Sequence, residues 1–259
     1  MPLAMMTRPL FSIITITLNN IDGLKKTSHS VNTQTFKDYE WIVIDGASTD
    51  GTLDFLEQST ATYISEVDDG LYDAMNKGIK RATGTYVIFM NAGDCFASTN
   101  TLETIAEHIK NTDPEFIYGD ALEILDGTDI YKHARPDYMM LSGMITHHQS
   151  MIYKRSKIGD LKYDLKYKIA ADYDFTLRFL ENSKNPTHIP APLCIFESGG
   201  ISETSAVKGR IEQFKIRRNL KVSLIDNSKT FITQSLIYIL RKISPRIYWW
   251  LKQFSIKAG

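Results

Sequence analysis

The sequence predicts an α/β fold in which a mostly parallel sheet is covered by helices on both faces. Through the first hundred residues, short apolar runs rich in β-branched residues alternate with amphipathic stretches of helical period. The chain has 259 residues, 43% hydrophobic and 23% charged, as expected for a globular domain with an extension. Its two cysteines are too few for a disulfide framework, which favours a reducing compartment.

The first half of the chain supplies the parallel strands. The apolar runs predict strands at 11–18, 39–44, 62–66 and 86–90. The amphipathic stretches that follow predict helices at 23–34, from about 49, and at 71–82. Crossovers between parallel strands are right-handed, and ligands bind at the carboxyl ends of such strands.

The second half is less regular. We expect a helix at 99–111, a strand at 116–124, an irregular segment at 126–170, a helix at about 172–182 and a strand at 187–196. From Thr204 the pattern is helical, and Pro245 interrupts it. We therefore predict two domains, a main domain at 8–204 and a helical extension at 205–259.

The zero net charge of the chain conceals an asymmetry between these two parts. Residues 205–259 hold 12 Lys and Arg against two acidic residues, a net charge of +10, and residues 1–204 carry the balancing −10. An acidic part suits cations or a metal-bound substrate, whereas a basic part suits an anionic partner. The extension has no recognised nucleic-acid motif and the main domain is acidic, which argues against nucleic acid as a partner.

The extension combines its positive charge with apolar side chains. Cation pairs such as Arg217-Arg218 and Arg241-Lys242 alternate with apolar runs, the last of which contains Trp249-Trp250. A basic amphipathic helix with tryptophans is typical of an element that lies on an anionic membrane surface. The alternative is a helix pair packed on the main domain, or a homodimer contact, with the cations on its solvated face.

No targeting or membrane-spanning segment is expected. The apolar run at 11–18 is short, β-branched and followed by Asn19-Asn20, which is typical of a buried strand rather than a signal peptide. No uninterrupted run of about 18 apolar residues occurs, so a transmembrane helix is not predicted. A cytoplasmic protein is the expectation.

Polar residues collect where the predicted strands end. They are Thr17 and Asn19 after the first strand, Asp45 and Asp50 after the second, and Asn91 and Asp94 after the fourth. An aspartate beside a glycine at a strand end suits a nucleobase or ribose, and oxygen ligands suit Mg²⁺ or Mn²⁺. The alternatives are that Ser48-Thr49-Asp50 caps a helix and that Asp94 is a turn aspartate.

Several motifs, taken together, resemble the family 2 glycosyltransferases. They are Thr17-x-Asn19, the run from Asp45 to Thr52, the run from Asp68 to Gly78, Ala82-Thr83-Gly84, and the run from Asn91 to Asp94. Their order and spacing resemble the bacterial exopolysaccharide and O-antigen branch most closely, strongly over about 10–96 and more weakly to about 202. The resemblance implies the GT-A fold and a metal-dependent enzyme that transfers a sugar from a nucleoside-diphosphate sugar with inversion.

The resemblance also implies a donor site. Asp45 matches the aspartate that contacts the base, and Asp50 matches a second aspartate of the nucleotide pocket. Thr17, Asn19 and Asn91 join them. The run from Asp68 to Gly78 adds three further donor-binding candidates, Asp69, Asn76 and Lys77. Of these, Lys77 is the candidate cation for the diphosphate, with a cation of the extension as the alternative.

The metal site implied by the resemblance is reduced in this chain. The motif in relatives usually reads Asp-x-Asp-Asp, whereas Asn91 and Gly93 here replace two of its carboxylates. Asp94 is then the principal protein ligand for Mn²⁺ or Mg²⁺, with diphosphate oxygens completing the coordination. His148, in a His-Gln pair that relatives share, is a second candidate ligand. Adjacent side chains of a strand point to opposite faces, so only one of His147 and His148 is expected to face the cleft. The alternative is a structural histidine.

Asp172 matches the catalytic base of the family. It lies in Ala171-Asp172-Tyr173-Asp174, before a predicted helix, where relatives have an acidic motif. An inverting transfer needs a base that takes the proton of the acceptor hydroxyl as it attacks. The alternative is that Asp172 or Asp174 caps the helix, for which Asp174 is the better candidate. The loop 198–202 resembles a family loop near the site and is expected to act as a mobile lid.

The resemblance thus implies an inverting glycosyltransferase of bacterial surface polysaccharide biosynthesis, expected at the inner face of the cytoplasmic membrane. The donor is a nucleoside-diphosphate sugar, with UDP as the preferred carrier, and the acceptor is a glycan or a polyprenyl-diphosphate-linked glycan. A nucleotide-binding scaffold subunit that has lost turnover is the alternative. A nicotinamide-dependent oxidoreductase is excluded because residues 18–23 lack the Gly-x-Gly-x-x-Gly fingerprint.

Overall fold

The computed structural model describes residues 8–125, 128–197 and 205–244. The chain divides into two compact units, 1–200 and 201–259, and each is considered by itself. Pro245, the aromatic run after it and the predicted lid at 198–202 lie outside the described residues.

The first unit is built on one nine-stranded sheet. Its strands are β1 (Phe11–Thr17), β2 (Tyr39–Asp45), β3 (Thr62–Ser65), β4 (Tyr86–Phe89), β5 (Cys95–Phe96), β6 (Phe116–Leu125), β7 (Thr128–Lys132), β8 (Met151–Lys154) and β9 (Pro186–Glu197). Its helices are α1 (Ile21–Asn32), α2 (Thr52–Glu57), α3 (Leu71–Arg81), α4 (Thr101–Thr112), α5 (Arg155–Ile158) and α6 (Ala171–Glu181). Short 3₁₀ turns span Asp137–Ser142 and His148–Ser150.

The predicted parallel sheet is confirmed for the first four strands. They run side by side as β3-β2-β1-β4, and every pairing among them is parallel. All seven residues of β1 are buried, which is typical of a strand covered on both faces. Gly78 of α3 lets this helix approach β1 closely, because a Cβ there would come within 2.4 Å of the Ile14 side chain.

The second half of the sheet is mixed, and here the mostly parallel description does not hold. The order continues β8-β6-β9-β5, and β8 runs antiparallel to both β4 and β6. β6 pairs in parallel with β9 and antiparallel with β7, and β9 pairs antiparallel with β5. Strands as short as β5 and β8 carry too few residues for a periodic signal, so the sequence pattern does not reveal them.

One helix begins later than its sequence pattern predicts. α2 begins at Thr52 rather than near 49, because Gly51 has a positive φ angle of 90°. Ala47, earlier in the same loop, also has a positive φ angle, of 63°. The residues between β2 and α2 therefore form a loop at the carboxyl end of the sheet. This loop carries several of the predicted site residues.

The opposite, amino-terminal edge of the sheet is held by Glu40. Its Oε1 accepts hydrogen bonds from the Ser12 hydroxyl (2.5 Å), the Thr83 hydroxyl (2.9 Å) and the amides of Thr83 (2.6 Å) and Gly84 (3.0 Å). Burial alone would raise the pKa of Glu40, but these hydrogen bonds outweigh it and lower the pKa. Thr83 and Gly84 thus serve a structural role at the start of β1, β2 and β4.

Glu40→Gln is expected to destabilise the first unit by about 1–3 kcal/mol at pH 7, because the hydrogen bonds to a carboxylate become bonds to a neutral amide. A carboxyl with a lowered folded-state pKa stabilises the fold above its unfolded pKa and loses this contribution as the pH falls through the folded pKa. The difference between variant and wild type should therefore shrink in acid. Urea unfolding of both proteins at pH 7 and pH 3.5 measures this difference in the free energy of unfolding. Glu57→Gln, on the exposed face of α2, is the matched control, and an equal loss in both variants would contradict the role of Glu40.

The described residues of the second unit, 205–244, form two helices, α7 (Ala206–Asn219) and α8 (Leu224–Ile243), which confirms the helical prediction over these residues. The buried Asn227 joins them, because its Oδ1 accepts from Nε of Arg217 (2.7 Å) and its Nδ2 donates to the carbonyl of Phe214 (2.9 Å). The rings of Phe214 and Phe231 meet edge to face with centroids 5.7 Å apart. None of the helices in the described ranges is long and apolar enough to span a bilayer.

Candidate active site

The loops after β1 and β2 are joined by hydrogen bonds at the carboxyl end of the sheet. Asn19 adopts a left-handed conformation, with φ of 49°, which asparagine tolerates better than most residues. Its side-chain oxygen accepts a hydrogen bond from the backbone amide of Thr49 (2.8 Å), and its backbone amide donates one to the Ser48 hydroxyl (2.7 Å). Asn19 thereby fixes the loop that carries Ser48 and Thr49.

Asp50 holds the first turns of two helices. It accepts from the amide of Ile21 in α1 (2.9 Å) and from the hydroxyl (2.6 Å) and amide (3.2 Å) of Thr52 in α2. The hydrogen bond from the Thr52 hydroxyl is the largest influence on the pKa of Asp50, and together with the backbone hydrogen bonds it lowers this pKa although burial acts to raise it. Asp50 thus contacts the first residue of each helix, whereas the N-cap residues are Asn20 for α1 and Gly51 for α2. A contact from Asp50 to nucleotide remains a prediction.

Asp45 is fully buried at the end of β2, beside Thr17 of β1. Its carboxylate accepts from the Ser48 hydroxyl (2.5 Å), the Ser48 amide (3.1 Å) and the Ser65 hydroxyl (2.6 Å). A direct contact from Asp45 to a nucleobase therefore requires a serine hydroxyl to move aside. The hydroxyl of Thr17 is buried without a hydrogen-bond partner. It is therefore a polar group at the carboxyl end of the sheet to which a bound ligand could form a hydrogen bond.

Three residues of α3 and the loop before it are predicted to bind the sugar donor. The side chains of two of them, Asn76 and Lys77, form contacts with other residues of the protein. The Lys77 ammonium contacts Asp68 (2.5 Å), Glu66 (2.9 Å) and Asp73 (3.4 Å). Burial alone would lower the pKa of Lys77, but these carboxylates raise it. A role for Lys77 in balancing a diphosphate stays a prediction, since its present partners are carboxylates.

Asn76 is engaged with a distant segment of the first unit. Its side chain donates to the carbonyl of Tyr163 (3.0 Å) and accepts from the amide of Tyr163 (2.8 Å), which fixes an irregular segment against α3. Asp69, by contrast, is exposed, and its backbone amide donates to the Asp73 carboxylate (3.2 Å).

The turn after β4 presents Asn91 and Asp94. The amide of Asp94 donates to the carbonyl of Asn91 (2.9 Å), and Gly93 between them has φ of 108°. The hydroxyl of Thr27 in α1 donates to the carbonyl of Asp94 (2.8 Å) and accepts from the amide of Gly93 (3.0 Å). The turn is therefore braced by α1, and its conformation depends on a glycine.

Gln149 contacts the carboxylate of Asp94. Its Nε2 donates to Oδ2 of Asp94 at 2.6 Å, and the Gln149 side chain is buried. Oδ1 of Asn91 is buried without a hydrogen-bond partner. Oxygen donors of this kind suit Mn²⁺ or Mg²⁺. Within the described ranges no group of three or more His, Cys, Asp or Glu could hold a metal.

His148 lies in an aromatic cluster beside this turn. Its Nε2 forms a hydrogen bond with the Tyr163 hydroxyl (2.9 Å), and its ring stacks on Phe89 with centroids 4.9 Å apart. Burial lowers the pKa of His148 to about 4, so the ring is neutral at physiological pH. Coordination of a metal by Nε2 would require this hydrogen bond to break.

His147 has different surroundings. Its Nε2 lies 3.1 Å from the ammonium of Lys132, and its ring stacks on Phe196 with centroids 4.3 Å apart. The two histidines thus have separate surroundings, and His148 begins a 3₁₀ turn rather than continuing a strand. Which of them faces a bound substrate remains a prediction.

Asp172 is the second residue of α6 and is partly buried. Its Oδ1 accepts from the amide of Tyr173 (2.8 Å) and lies 3.5 Å from the Tyr72 hydroxyl, which also donates to the carbonyl of Ile169 (2.8 Å). Asp174 instead pairs with Arg178 (2.5 Å), and α6 has no side-chain cap. The capping role suggested for Asp174 is therefore not what the structure shows.

Sequence reasoning missed the aromatic residues that connect Asp172 with Asp94. Tyr72 stacks on Tyr163 (5.5 Å), and Tyr163 contacts His148, the neighbour of the Gln149 that holds Asp94. Tyr72 lies within the run from Asp68 to Gly78, so this motif could have indicated that Tyr72 is a residue of the site. Tyr163 lies in the irregular segment, where no motif indicates a role for it.

Comparisons with known proteins show the family of the chain. The family model "Glycosyl transferase family 2" matches residues 12–180. A "PGL/p-HBAD biosynthesis glycosyltransferase" of Mycobacterium tuberculosis is 32% identical over 232 residues, which covers 85% of this chain and 90% of the relative. A "Putative teichuronic acid biosynthesis glycosyltransferase TuaG" of Bacillus subtilis is 35% identical over 133 residues, 48% of this chain and 52% of that protein.

Solved structures show the same fold. TarS 1–349 of S. aureus in complex with UDP-GlcNAc matches with a TM-score of 0.69 and 17% identity, covering 90% of this chain and 73% of that one. The mannosyltransferase PcManGT of Pyrobaculum calidifontis, in complex with GDP-Man and Mn²⁺, matches with a TM-score of 0.65 and 15% identity. The match covers 98% of this chain and 81% of PcManGT. These likenesses show the GT-A fold that the sequence motifs implied. With a family model over most of its first unit and relatives aligned over most of its length, the chain is a member of glycosyl transferase family 2.

Proposed function

We propose that this glycosyltransferase moves a sugar from a nucleoside-diphosphate sugar to an acceptor hydroxyl with inversion, and that Asp172 is the base. In the proposed step the acceptor oxygen forms a bond to the anomeric carbon as the bond from that carbon to the diphosphate oxygen breaks. The acceptor proton passes to the Asp172 carboxylate, and the nucleoside diphosphate leaves. The observation that carries the proposal is the line of contacts from Asp172 through Tyr72 and Tyr163 to His148. Gln149, the next residue in the chain, contacts the carboxylate of Asp94.

In the proposed site, Asp94 and Asn91 lie at the end that binds the diphosphate. A bound Mn²⁺ or Mg²⁺ would supply positive charge that stabilises the leaving diphosphate. Asp94 and the unpartnered oxygen of Asn91 would hold it, with Gln149 fixing the orientation of the Asp94 carboxylate. His148 supports this corner through Tyr163 and remains a candidate ligand only if that hydrogen bond opens.

The donor pocket is proposed at the loops after β1, β2 and β3. Thr17 offers an unpartnered hydroxyl and Asp69 an exposed carboxylate, whereas Asn19, Asp45 and Asp50 shape the loops. UDP is the preferred carrier, supported by the TarS structures with UDP and UDP-GlcNAc, and GDP is the alternative that the PcManGT complex suggests.

The acceptor is proposed to be a glycan, free or linked to polyprenyl diphosphate, of a bacterial surface polysaccharide such as a capsule or O-antigen. The relatives named for teichuronic acid and PGL/p-HBAD biosynthesis support this class. The enzyme would then act at the cytoplasmic face of the membrane. A nucleotide-binding scaffold without turnover is the second candidate, favoured by the replacement of two motif carboxylates by Asn91 and Gly93.

A thermal-shift panel of UDP, GDP, dTDP and CMP, each with and without Mn²⁺, tests the proposal. Selective binding stabilises the folded protein by RT ln(1 + [L]/Kd), about 2.7 kcal/mol at a hundredfold excess over Kd. We expect a Mn²⁺-dependent rise in Tm for one nucleoside diphosphate, UDP first. Turnover of the corresponding nucleotide sugar, measured as released nucleoside diphosphate, separates the transferase from the scaffold. A folded protein that no nucleotide stabilises would contradict both.

A further inference from the structure

Helix α8 of the second unit has two distinct faces. One face packs on α7 through Asn227, Phe231, Gln234 and Tyr238, spaced as consecutive turns of one helix side. Gln234 donates to Gln213 (3.0 Å), and the guanidinium of Arg210 lies over the Tyr238 ring at 4.1 Å. This face is therefore already occupied by α7.

The other face carries an exposed aliphatic stripe. Five side chains make it up, and between 48% and 79% of the surface of each is exposed: Ile225, Ile232, Leu236, Ile239 and Ile243. At about 100° per residue they fall within roughly 60° of one another, about 140° from the face that packs on α7. The stripe is about 27 Å long at 1.5 Å per residue. Single exposed aliphatic residues are normal on a protein surface, but an aligned row of this length indicates a binding surface.

Positive charge accompanies the stripe. Lys229 and Lys242 lie on its two borders by helical geometry. Residues 205–259 as a whole carry a net charge of +10. Two copies joined through this face would bring two such segments together, and like charges oppose that association. An anionic membrane surface, by contrast, attracts this positive charge.

We propose that the stripe of α8 inserts into the surface of an anionic lipid bilayer, with the helix parallel to the membrane plane. An apolar face bordered by lysines is the arrangement by which amphipathic helices bind at the boundary between headgroups and acyl chains. The described helices do not span a bilayer, so the contact is peripheral. The proposal concerns the second unit alone and does not depend on the transfer reaction.

Sedimentation of the full chain with vesicles tests the proposal. Vesicles of phosphatidylcholine alone are compared with vesicles that contain phosphatidylglycerol, each at low and high salt. The full chain should sediment with the anionic vesicles, less so at high salt, and only weakly with the neutral ones. The triple variant Ile232→Gln, Leu236→Gln, Ile239→Gln should weaken anionic-vesicle binding at least tenfold. The double variant Val207→Gln, Ile211→Gln removes two exposed aliphatic side chains of α7 and should bind like the wild type.

Two further readouts separate the outcomes. Circular dichroism checks that the triple variant keeps its helices, and its nucleotide-dependent thermal shift should equal that of the wild type, whatever the vesicle result. Undiminished vesicle binding by a folded triple variant would overturn the proposal, as would a wild type that ignores anionic vesicles. A wild-type dimer in size-exclusion chromatography that the triple variant converts to a monomer, with vesicle binding unchanged, would assign the stripe to a second copy instead.

Discussion

Asp172→Asn is expected to lower the rate of sugar transfer by about 10²–10⁴-fold, the usual contribution of general acid–base catalysis. Asparagine has the same shape and keeps an oxygen for the amide of Tyr173, so α6 should begin as it does in the wild type. It cannot take the proton of the acceptor hydroxyl. Affinity for the nucleoside diphosphate should stay nearly unchanged, because the predicted donor contacts lie on other segments.

Two measurements on the same preparation check this prediction. Transfer is followed as released nucleoside diphosphate, and nucleotide binding is followed by thermal shift. Asp174→Asn is the matched control from the same helix turn, since it removes the same charge from a residue that pairs with Arg178. It should lower the Tm but preserve the turnover of the folded enzyme. A fully active Asp172→Asn variant would show that another group is the base.

Asp94→Ala is expected to remove the Mn²⁺-dependent part of nucleotide binding and to lower transfer by about 10²–10³-fold, in the range found when a group that stabilises developing charge is lost. Asp94 is the only carboxylate in the run from Asn91 to Asp94, so in the proposed site its loss leaves Asn91 as the protein ligand at this turn. The measurement is the nucleotide-induced rise in Tm over a Mn²⁺ series. Asp54→Ala, on the exposed side of α2, controls for the change in charge.

Gln149→Ala should give a weaker form of the same defect. Gln149 acts through Asp94, since its amide fixes one oxygen of that carboxylate at 2.6 Å. We expect the Mn²⁺ concentration needed for half of the maximal thermal shift to rise about 10–100-fold, as for other residues that orient metal ligands. Saturating Mn²⁺ should restore most of the activity, which a purely structural defect would not allow. If Gln149→Ala leaves the Mn²⁺ dependence unchanged, the hydrogen bond to Asp94 has no role in metal binding.

The strands β1, β2 and β4 could be predicted because each contains an apolar run that is buried on both faces of a parallel sheet. The edge strand β3 is short and only partly buried. β1 shows the reason clearly, since all seven of its residues are buried and none has to alternate with solvent-facing positions. The start of α2 could not be predicted in the same way. Its capping residues also favour a helix at 49, and the positive φ angle of Gly51 delays the start of this helix to Thr52.

The sequence by itself determined the α/β class, the family and the strand ends that carry Asp45, Asp94 and the other polar residues, because apolar periodicity and motif spacing are local properties of the chain. Tertiary structure decided what those side chains contact. Gln149 reaches Asp94 across 55 positions of sequence, and Asn76 reaches Tyr163 across 87. Pairings at such separations depend on how the irregular segment between β7 and α6 folds back on the sheet, and neither propensity nor spacing specifies that path.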